Sequence, residues 1–431
     1  MSEFSKPGAG HERPPRPLRP SRPFRPSHRP QPAPSEPPLG SESWPKPWVQ
    51  IKYFSFHPSI YPNMIRAASD DAAAGDLVNV FDKEGNLFGH GFYNPKARIP
   101  LRVLNHLKSE FAEVDLDSYL RDAIKLRTET LKPADTGDAW RVIHSDGDRI
   151  SGLVVDKYGD TLSIEVTSLG VWRRLRRWLP ILHESLGTKH HVIHADPEIA
   201  RIESMRWADV PEADDPAPKS VRIREHDIRY QVNFESGHKT GFFCDQRDNR
   251  RRFGQFARGR VLDLCCYSGG FSLAAKLIGK CDDVTGVDLD EQAIAQAKQN
   301  GNLNQTRINW VHADVFTWMR QAQKNGELWD TIVLDPPKLV WSRDETDEGR
   351  KKYNDMNVLA LQLIRPGGLF VTCSCSGLLE EAEFEYIVTS AAHRYQRKLQ
   401  ILDRTGAGSD HPVMSNCPES RYLKTLWAVV R

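Results

Sequence analysis

A chain of 431 residues is too long for one core and implies roughly two or three domains. With 39% hydrophobic and 27% charged residues most of it is expected to fold; no apolar run is long enough to span a bilayer and no charged-then-apolar leader opens it. Seven irregularly spaced cysteines argue against a disulfide framework or a paired CxxC zinc site, so no metal and a reducing cytoplasm are expected, while a net charge of +2 leaves any nucleic-acid partner to be read from where the charges sit.

Residues 1–46 repeat Arg-Pro, at 16–17, 19–20, 22–23, 25–26 and 29–30. Proline removes a backbone donor and fixes φ, so a disordered basic arm is expected. Two readings stand: a sequence-independent grip on phosphate, or a solvated tail without a role. Residues 47–108 change to strands and turns. Leu77–Phe81 and Leu87–Tyr93 flank an Asp82–Asn86 turn, Ile99–Val103 follows, and together they suggest a small β-barrel.

Residues 109–228 read as a central α+β domain, with a helix over Leu116–Leu131 and a β-rich stretch over Ile143–Leu162. A helix over Val171–Leu186 carries Arg173, Arg174, Arg176 and Arg177, a face read first as solvated and second as touching RNA backbone. Val210–Lys219 is acidic and proline-bearing, hence a loop.

Residues 229–431 alternate strand and helix: strands at 261–265, 283–288, 308–312, 331–334 and 368–373, and helices at 270–278, 291–303, 316–324, 353–363 and 379–392. Repeated β-then-α units predict an α/β, Rossmann-like domain with a mostly parallel sheet, whose ligands bind at the carboxyl ends of the strands.

The residues that carry chemistry fall at those ends. The first strand leads into Asp263-Leu264-Cys265-Cys266-Tyr267-Ser268-Gly269-Gly270-Phe271. This turn lacks the GxGxxG spacing that cradles pyrophosphate, and Asp263 would repel one; it would instead hold an ammonium group. Asp288, followed by Leu289, is placed for two ribose hydroxyls, and Asp314-Val315 for an exocyclic adenine amine. Ammonium, ribose and adenine together describe S-adenosylmethionine. One such Asp alone would be read as a helix N-cap, but three at successive strand ends favour the cofactor.

The fourth strand ends Asp335-Pro336-Pro337-Lys338, where two prolines hold a rigid loop and present Asp335 to the amino edge of a flat substrate. The fifth runs into Thr372-Cys373-Ser374-Cys375-Ser376. Carbon 5 of cytosine needs a thiolate added at carbon 6 before it attacks a methyl donor. Cys375 is taken as that nucleophile and Asp335 as its partner at N3/N4, with Cys373 second and expected to face the core.

Gly237 to Arg250, Val261 to Phe271, Asp335 to Lys338 and Ser374 to Gly377 resemble the 23S ribosomal RNA cytosine-5 methyltransferases of the RlmI type, over about residue 48 to the end. The resemblance implies that the barrel is a PUA domain, matched by His57-Pro58 and Gly75-Asp76-Leu77-Val78, with His57 toward RNA. It implies that Lys239, Thr240 and Gln246 lie over the cofactor, and Arg247 and Arg250 over the target, ion pairing being the alternative for both arginines. It also implies a homodimer. Ser59 stands where an aromatic usually follows His-Pro, and Cys265 where an aromatic is common. The fourth-strand motif has no cysteine, so the base for the carbon-5 proton is either Lys338 or His411, the latter read first as structural. The competing functions are methylation of guanine N7, which needs no thiol, a noncatalytic RNA-binding assembly factor, and, more distantly, a nicotinamide oxidoreductase.

Overall fold

The computed structural model describes residues 38–210, 218–234 and 241–431. The Arg-Pro repeats, most of the acidic loop, and Lys239 and Thr240 lie outside them.

The first domain is a six-stranded sheet of β1 (Trp48–Ile51), β2 (Ser59–Ile60), β3 (Ile65–Ala68), β4 (Asp76–Phe81), β5 (Leu87–Tyr93) and β6 (Leu101–Asn105), in the order β2-β6-β5-β4-β1-β3. The expected turn between β4 and β5 is held by Asp82, whose Oδ1 accepts the amides of Glu84 (3.0 Å) and Asn86 (2.9 Å). Trp44, counted with the basic tail, stacks on Phe81 with ring centroids 4.1 Å apart. The folded part therefore starts before residue 47, because an aromatic this large recovers more by burial than its ordering costs.

The central domain comprises α1 (Glu113–Lys125), β7 (Ala139–His144), β8 (Leu153–Tyr158), β9 (Thr161–Val166), α2 (Leu169–Trp172), α3 (Leu175–Leu186), β10 (His190–His194) and α4 (Pro197–Glu203), the sheet running β10-β9-β8-β7. The helix expected to reach Leu131 leaves α geometry after Lys125 and continues as a π turn over Leu126–Leu131. That turn carries Arg127 into a buried pair with Asp148. Helix α3 buries Leu175, Trp178, Leu179 and Leu182, the spacing of one helical face. Its basic neighbours are clasps: Arg173 pairs with Asp76 of the barrel, and Arg174 and Arg177 with Glu113 and Asp117 of α1.

A hairpin of β11 (Ser220–Glu225) and β12 (Ile228–Asn233) leads into the C-terminal domain, so the boundary expected after residue 228 cuts a paired unit. The C-terminal domain then runs α5 (Arg247–Phe256), β13 (Val261–Leu264), α6 (Gly270–Leu277), β14 (Val284–Asp288), α7 (Glu291–Leu303), β15 (Asn309–His312), α8 (Val315–Lys324), β16 (Trp329–Leu334), α9 (Thr346–Gln362), β17 (Ile364–Ser374), α10 (Glu381–Arg394), β18 (Leu399–Thr405) and β19 (Lys424–Val430). Its sheet has the order β15-β14-β13-β16-β17-β19-β18. The five strands up to β17 are parallel; β19 inserts antiparallel between β17 and β18.

Alternation along the strands sorts the two faces. Leu262, Leu264, Ile332, Leu334 and Phe370 pack with Met319, Leu361 and Phe384 of α8, α9 and α10. Val261, Val333, Leu369, Val371 and Trp427 pack with Phe253 of α5 and Phe271 and Ala275 of α6. Each fully buried side chain of this size contributes about 1.5–3 kcal/mol, and burial on both faces is what fixes the register of the strand ends. No helix among the described residues is long and apolar enough to cross a membrane.

Candidate active site

The loop from β13 to α6 is strained. Cys265 and Tyr267 both adopt left-handed backbone, at φ 63° and 48°, and Gly269 follows at φ 86°. Non-glycine residues accept that conformation only when their surroundings hold it, which is common at ligand sites. Glycine is required at 269, since a Cβ there would lie 2.4 Å from the Trp310 ring. Phe271 is buried and meets Phe253 edge-on.

Asp263, expected in the turn, is the third residue of β13 and fully buried. One carboxylate oxygen accepts the Ser272 amide (2.9 Å) and hydroxyl (2.7 Å); the other, Oδ1, is buried with no hydrogen-bond partner among the described residues. Burial, reinforced by Asp288 and opposed by Ser272, pushes this carboxyl up to about 7. Asp288 ties two loops together, accepting the amides of Tyr267 (2.8 Å) and Asp290 (2.9 Å). Leu289 beside it is exposed, and Val315 is buried at the start of α8. Asp314 caps α8, its Oδ1 accepting the amide (2.8 Å) and hydroxyl (2.7 Å) of Thr317, so capping is part of its work. Asp288, Asp335, Asp263 and Asp314 all raise the proton affinity of the Cys265 thiol after burial has done so, which shows the strand-end carboxylates converging on one place.

Asp335 accepts a 3.0 Å hydrogen bond from Gln246, whose carbonyl accepts from Asn249 (2.7 Å). Burial, then the charges of Asp245 and Asp263, push Asp335 up to about 7 against the Gln246 hydrogen bond and Arg250. Asp245 was not singled out in the sequence. It is buried, accepts from the Tyr422 hydroxyl (2.5 Å), and its Oδ1 has no partner among the described residues.

Cys375 follows the last residue of β17 and is half-buried, its Sγ 4.0 Å from the Pro336 carbonyl oxygen. Cys373 is fully buried against Thr425, and burial followed by the Asp335 charge raises its proton affinity well above the usual thiol range, which suits a core residue. Ser376 accepts the amides of Leu339 (3.3 Å) and Val340 (3.1 Å), pinning the loop after Asp335 to the end of β17. Lys338 sits over the Trp341 ring, 5.2 Å from its centroid. Lys424, also missed, is buried at the start of β19 beside this strand end.

Three residues expected to touch RNA are committed elsewhere. Arg247 is buried, its guanidinium on Asp410 at 2.9 and 3.2 Å. Arg250 is buried and paired through two nitrogens with Glu225. Ion pairing, the alternative named for both, is what the structure holds; a buried guanidinium left unpaired would cost several kcal/mol. His57 accepts the Ser59 amide on Nδ1 (3.0 Å), which leaves its proton on Nε2 facing Glu419 (3.2 Å). It therefore bridges the barrel to the segment before β19. His411 donates to Asp410 at 3.0 Å and is buried, the structural role preferred for it.

Buried carboxylate oxygens on Asp263 and Asp245 that have no hydrogen-bond partner among the described residues suit a cationic ligand and disfavour a pyrophosphate. S-adenosylmethionine, with an ammonium and a sulfonium, fits that donor set. The fold and these strand-end carboxylates together define a class I S-adenosylmethionine-dependent methyltransferase. The profile of the S-adenosylmethionine-dependent methyltransferase family matches residues 213–412, and that of the PUA-like domain matches residues 47–106. Ribosomal RNA large subunit methyltransferase I of Erwinia tasmaniensis is 31% identical over 85% of this chain and 94% of its own length. The protein of the same name from Photobacterium profundum is 32% identical over 87% and 96%. A solved methyltransferase complexed with SAH shares the fold, with a TM-score of 0.73 at 19% identity over 89% of this chain and 99% of its own. The chain belongs to the ribosomal RNA large subunit methyltransferase I family.

Proposed function

We propose that the protein methylates carbon 5 of a cytosine in large-subunit (23S) ribosomal RNA, with Cys375 as nucleophile and Asp335 as the acid at N3. The observation that carries this reading is the meeting of two strand ends, which sets Cys375 Sγ 4.0 Å from the carbonyl of the residue after Asp335. The names of the relatives supply the RNA class.

The Cys375 thiolate adds to carbon 6 of the ring. Asp335, its carboxyl raised to about 7, is protonated in a useful fraction near neutral pH and gives a hydrogen bond to N3, where the charge of the adduct collects. S-adenosylmethionine, when bound, supplies the electrophilic methyl group. Lys338, on the loop that carries Asp335 and in its neutral amine form, then takes the carbon-5 proton and becomes the ammonium; the C5–H electrons form the C5=C6 bond, the S–C6 bond breaks and its electron pair returns to Cys375. In the cofactor half, Asp263 would hold the ammonium through its unpartnered Oδ1, Asp288 the ribose hydroxyls and Asp314 the adenine amine. Tyr267, Ser268, Gly269, Phe271, Leu289 and Val315 would line the same half. Gln246 acts through Asp335, and Lys239 and Thr240 join by family resemblance.

The same reading places the enzyme in a reducing cytoplasm, which keeps a nucleophilic thiol reduced, and family resemblance adds a homodimer, checked by analytical ultracentrifugation. The direct test is incubation with labelled S-adenosylmethionine and ribosomal RNA, followed by mass spectrometry of the nucleosides. 5-Methylcytidine is expected. 7-Methylguanosine would replace the reading with nitrogen methylation, and absence of cofactor binding by calorimetry would replace it with a noncatalytic assembly role.

A further inference from the structure

Lys424 is an unusual residue to find buried. It opens β19, paired in register with Ser374, so its backbone lies beside the end of β17 where Cys375 follows. Its side chain lies in a residue only 3% exposed. Lysine is almost never so enclosed without a carboxylate, because taking an ammonium out of water costs several kcal/mol. Among the described residues no carboxylate forms an ion pair with Lys424. Its Nζ donates instead to the carbonyls of Ser376 (2.6 Å) and Leu379 (2.7 Å), which leaves one of its N–H groups without a bond among the described residues.

Those two carbonyls bracket the turn that begins immediately after Cys375, so the ammonium is fixed against the segment that carries the thiol. The charged and titratable groups acting on it come from four directions. Cys375 at the end of β17 and Glu381 of α10 favour its charge; Arg421, ahead of β19, and Lys338, on the Asp335 loop, oppose it. Burial outweighs all of them and lowers Lys424 to about 8. Cys375 is also the foremost charge acting on Tyr353, whose hydroxyl bonds Ser374 and Ser376. One contact of the thiol, at 4.0 Å, is the Pro336 carbonyl oxygen, an acceptor that disfavours a thiolate. A cation in the vicinity is what a nucleophilic sulfur needs there.

We propose that the Lys424 ammonium is the counter-charge of the Cys375 thiolate, a positioning residue that keeps the nucleophile ionised. This deepens the covalent reading above and rests on it for its catalytic meaning. The thiol proton leaves to solvent and Lys424 remains protonated. When sulfur adds to carbon 6 the pair is discharged, and it re-forms when the S–C6 bond breaks and the electrons return to sulfur. Two carbonyl bonds hold the ammonium in place through both steps, so no side chain must move as charge comes and goes.

The test reads the thiol directly. Alkylation of Cys375 by iodoacetamide, followed peptide by peptide in the mass spectrometer across pH, gives its apparent pKa in the full-length protein. In K424M that pKa should rise by about one to two pH units, slowing alkylation at pH 7 about tenfold or more, while K424R should restore most of the difference. A lysine that only braces the turn would leave the Cys375 titration unchanged in K424M, and that result overturns the proposal. Should K424M not fold, the reciprocal measurement serves. In C375S, a near-isosteric change, the Lys424 ammonium followed by nuclear magnetic resonance should titrate at lower pH than in the wild type, by linkage; an unmoved titration overturns the proposal as well. Failure of the covalent reading is visible separately. If C375S keeps full methyl transfer while K424M still shifts the thiol, the ion pair stands and the mechanism falls.

Discussion

On the β13–β15 side of the catalytic cleft the carboxylates are tied down by neighbouring donors. Asp288 takes two amides, Asp314 takes an amide and a hydroxyl of Thr317, and Asp263 takes both from Ser272. On the β16–β17 side Asp335 has, among the described residues, the single side-chain donor Gln246 and lies in the field of Asp245 and Asp263. The first arrangement fixes shape, as binding a preformed cationic cofactor requires. Burial raises Asp263 as far as Asp335, to about 7; what differs is that Asp263 is held by the amide and hydroxyl of Ser272, whereas Asp335 lies on the loop beside Cys375, where acid–base work is needed. The two halves share one sheet edge, so the difference lies in the loops, not in the fold.

The sharpest way to break this comparison is at the sulfur. Cys375→Ala should lower methyl transfer by at least about a thousandfold, since a covalent route has no substitute nucleophile, with cofactor affinity unchanged by calorimetry. Activity that survives would mean that the β16–β17 side does no covalent chemistry. Next comes Asp335→Asn, expected to cost about a hundredfold or more in kcat. In the wild type the proton needed at N3 is lost as pH rises through about 7, so kcat should fall on that limb; in the variant the falling limb should be gone. A limb that persists in Asp335→Asn would assign it to another group.

The contrast also explains which parts of the site could be read from the chain. Strand ends were legible because the parallel strands are apolar on both faces and stop where Asp288, Asp335 and Cys375 begin to face the cleft. The fates of Arg247 and Arg250 were open, since a basic run looks the same beside phosphate as beside Asp410 or Glu225, partners 163 and 25 residues away. Asp245 and Lys424 were missed for a related reason. Asp245 sits inside the Gly237 to Arg250 stretch without a role read for it, and Lys424 stands in no spaced motif; each gains its partners because β19, a strand no local pattern announced, folds back between β17 and β18. Trp44 was hidden by its company: the proline-rich stretch around it outweighed one aromatic until Phe81 supplied a surface.

A smaller effect is expected where the arginines were reassigned. Arg247→Met leaves Asp410 inside the protein without its guanidinium and should lower stability by about 3 kcal/mol, read as a lower urea midpoint. The slope of RNA affinity against the logarithm of salt concentration should stay as in the wild type. Loss of a phosphate contact would reduce that slope by about one, and would return Arg247 to the RNA surface.

The smallest change tests the cofactor half. Asp263 has a carboxyl raised from its unfolded value near 3.8 to about 7, so between those values the folded protein binds the extra proton. Stability without cofactor is therefore greatest at low pH in this window and is lost as pH rises from about 4 to 7. Asp263→Asn keeps an acceptor for the Ser272 amide and removes the buried charge, so its thermal midpoint should depend less on pH across that window and exceed the wild type's at pH 7. The same variant should bind S-adenosylmethionine about tenfold more weakly, because the ammonium loses its counter-charge. Stability gained and affinity lost by one substitution would show that the orphaned oxygen is kept at a cost to the fold for the sake of the ligand. A variant that gains stability and binds cofactor as tightly as before would move the ammonium to Asp245, which also acts on Asp335 and has an oxygen unpartnered among the described residues.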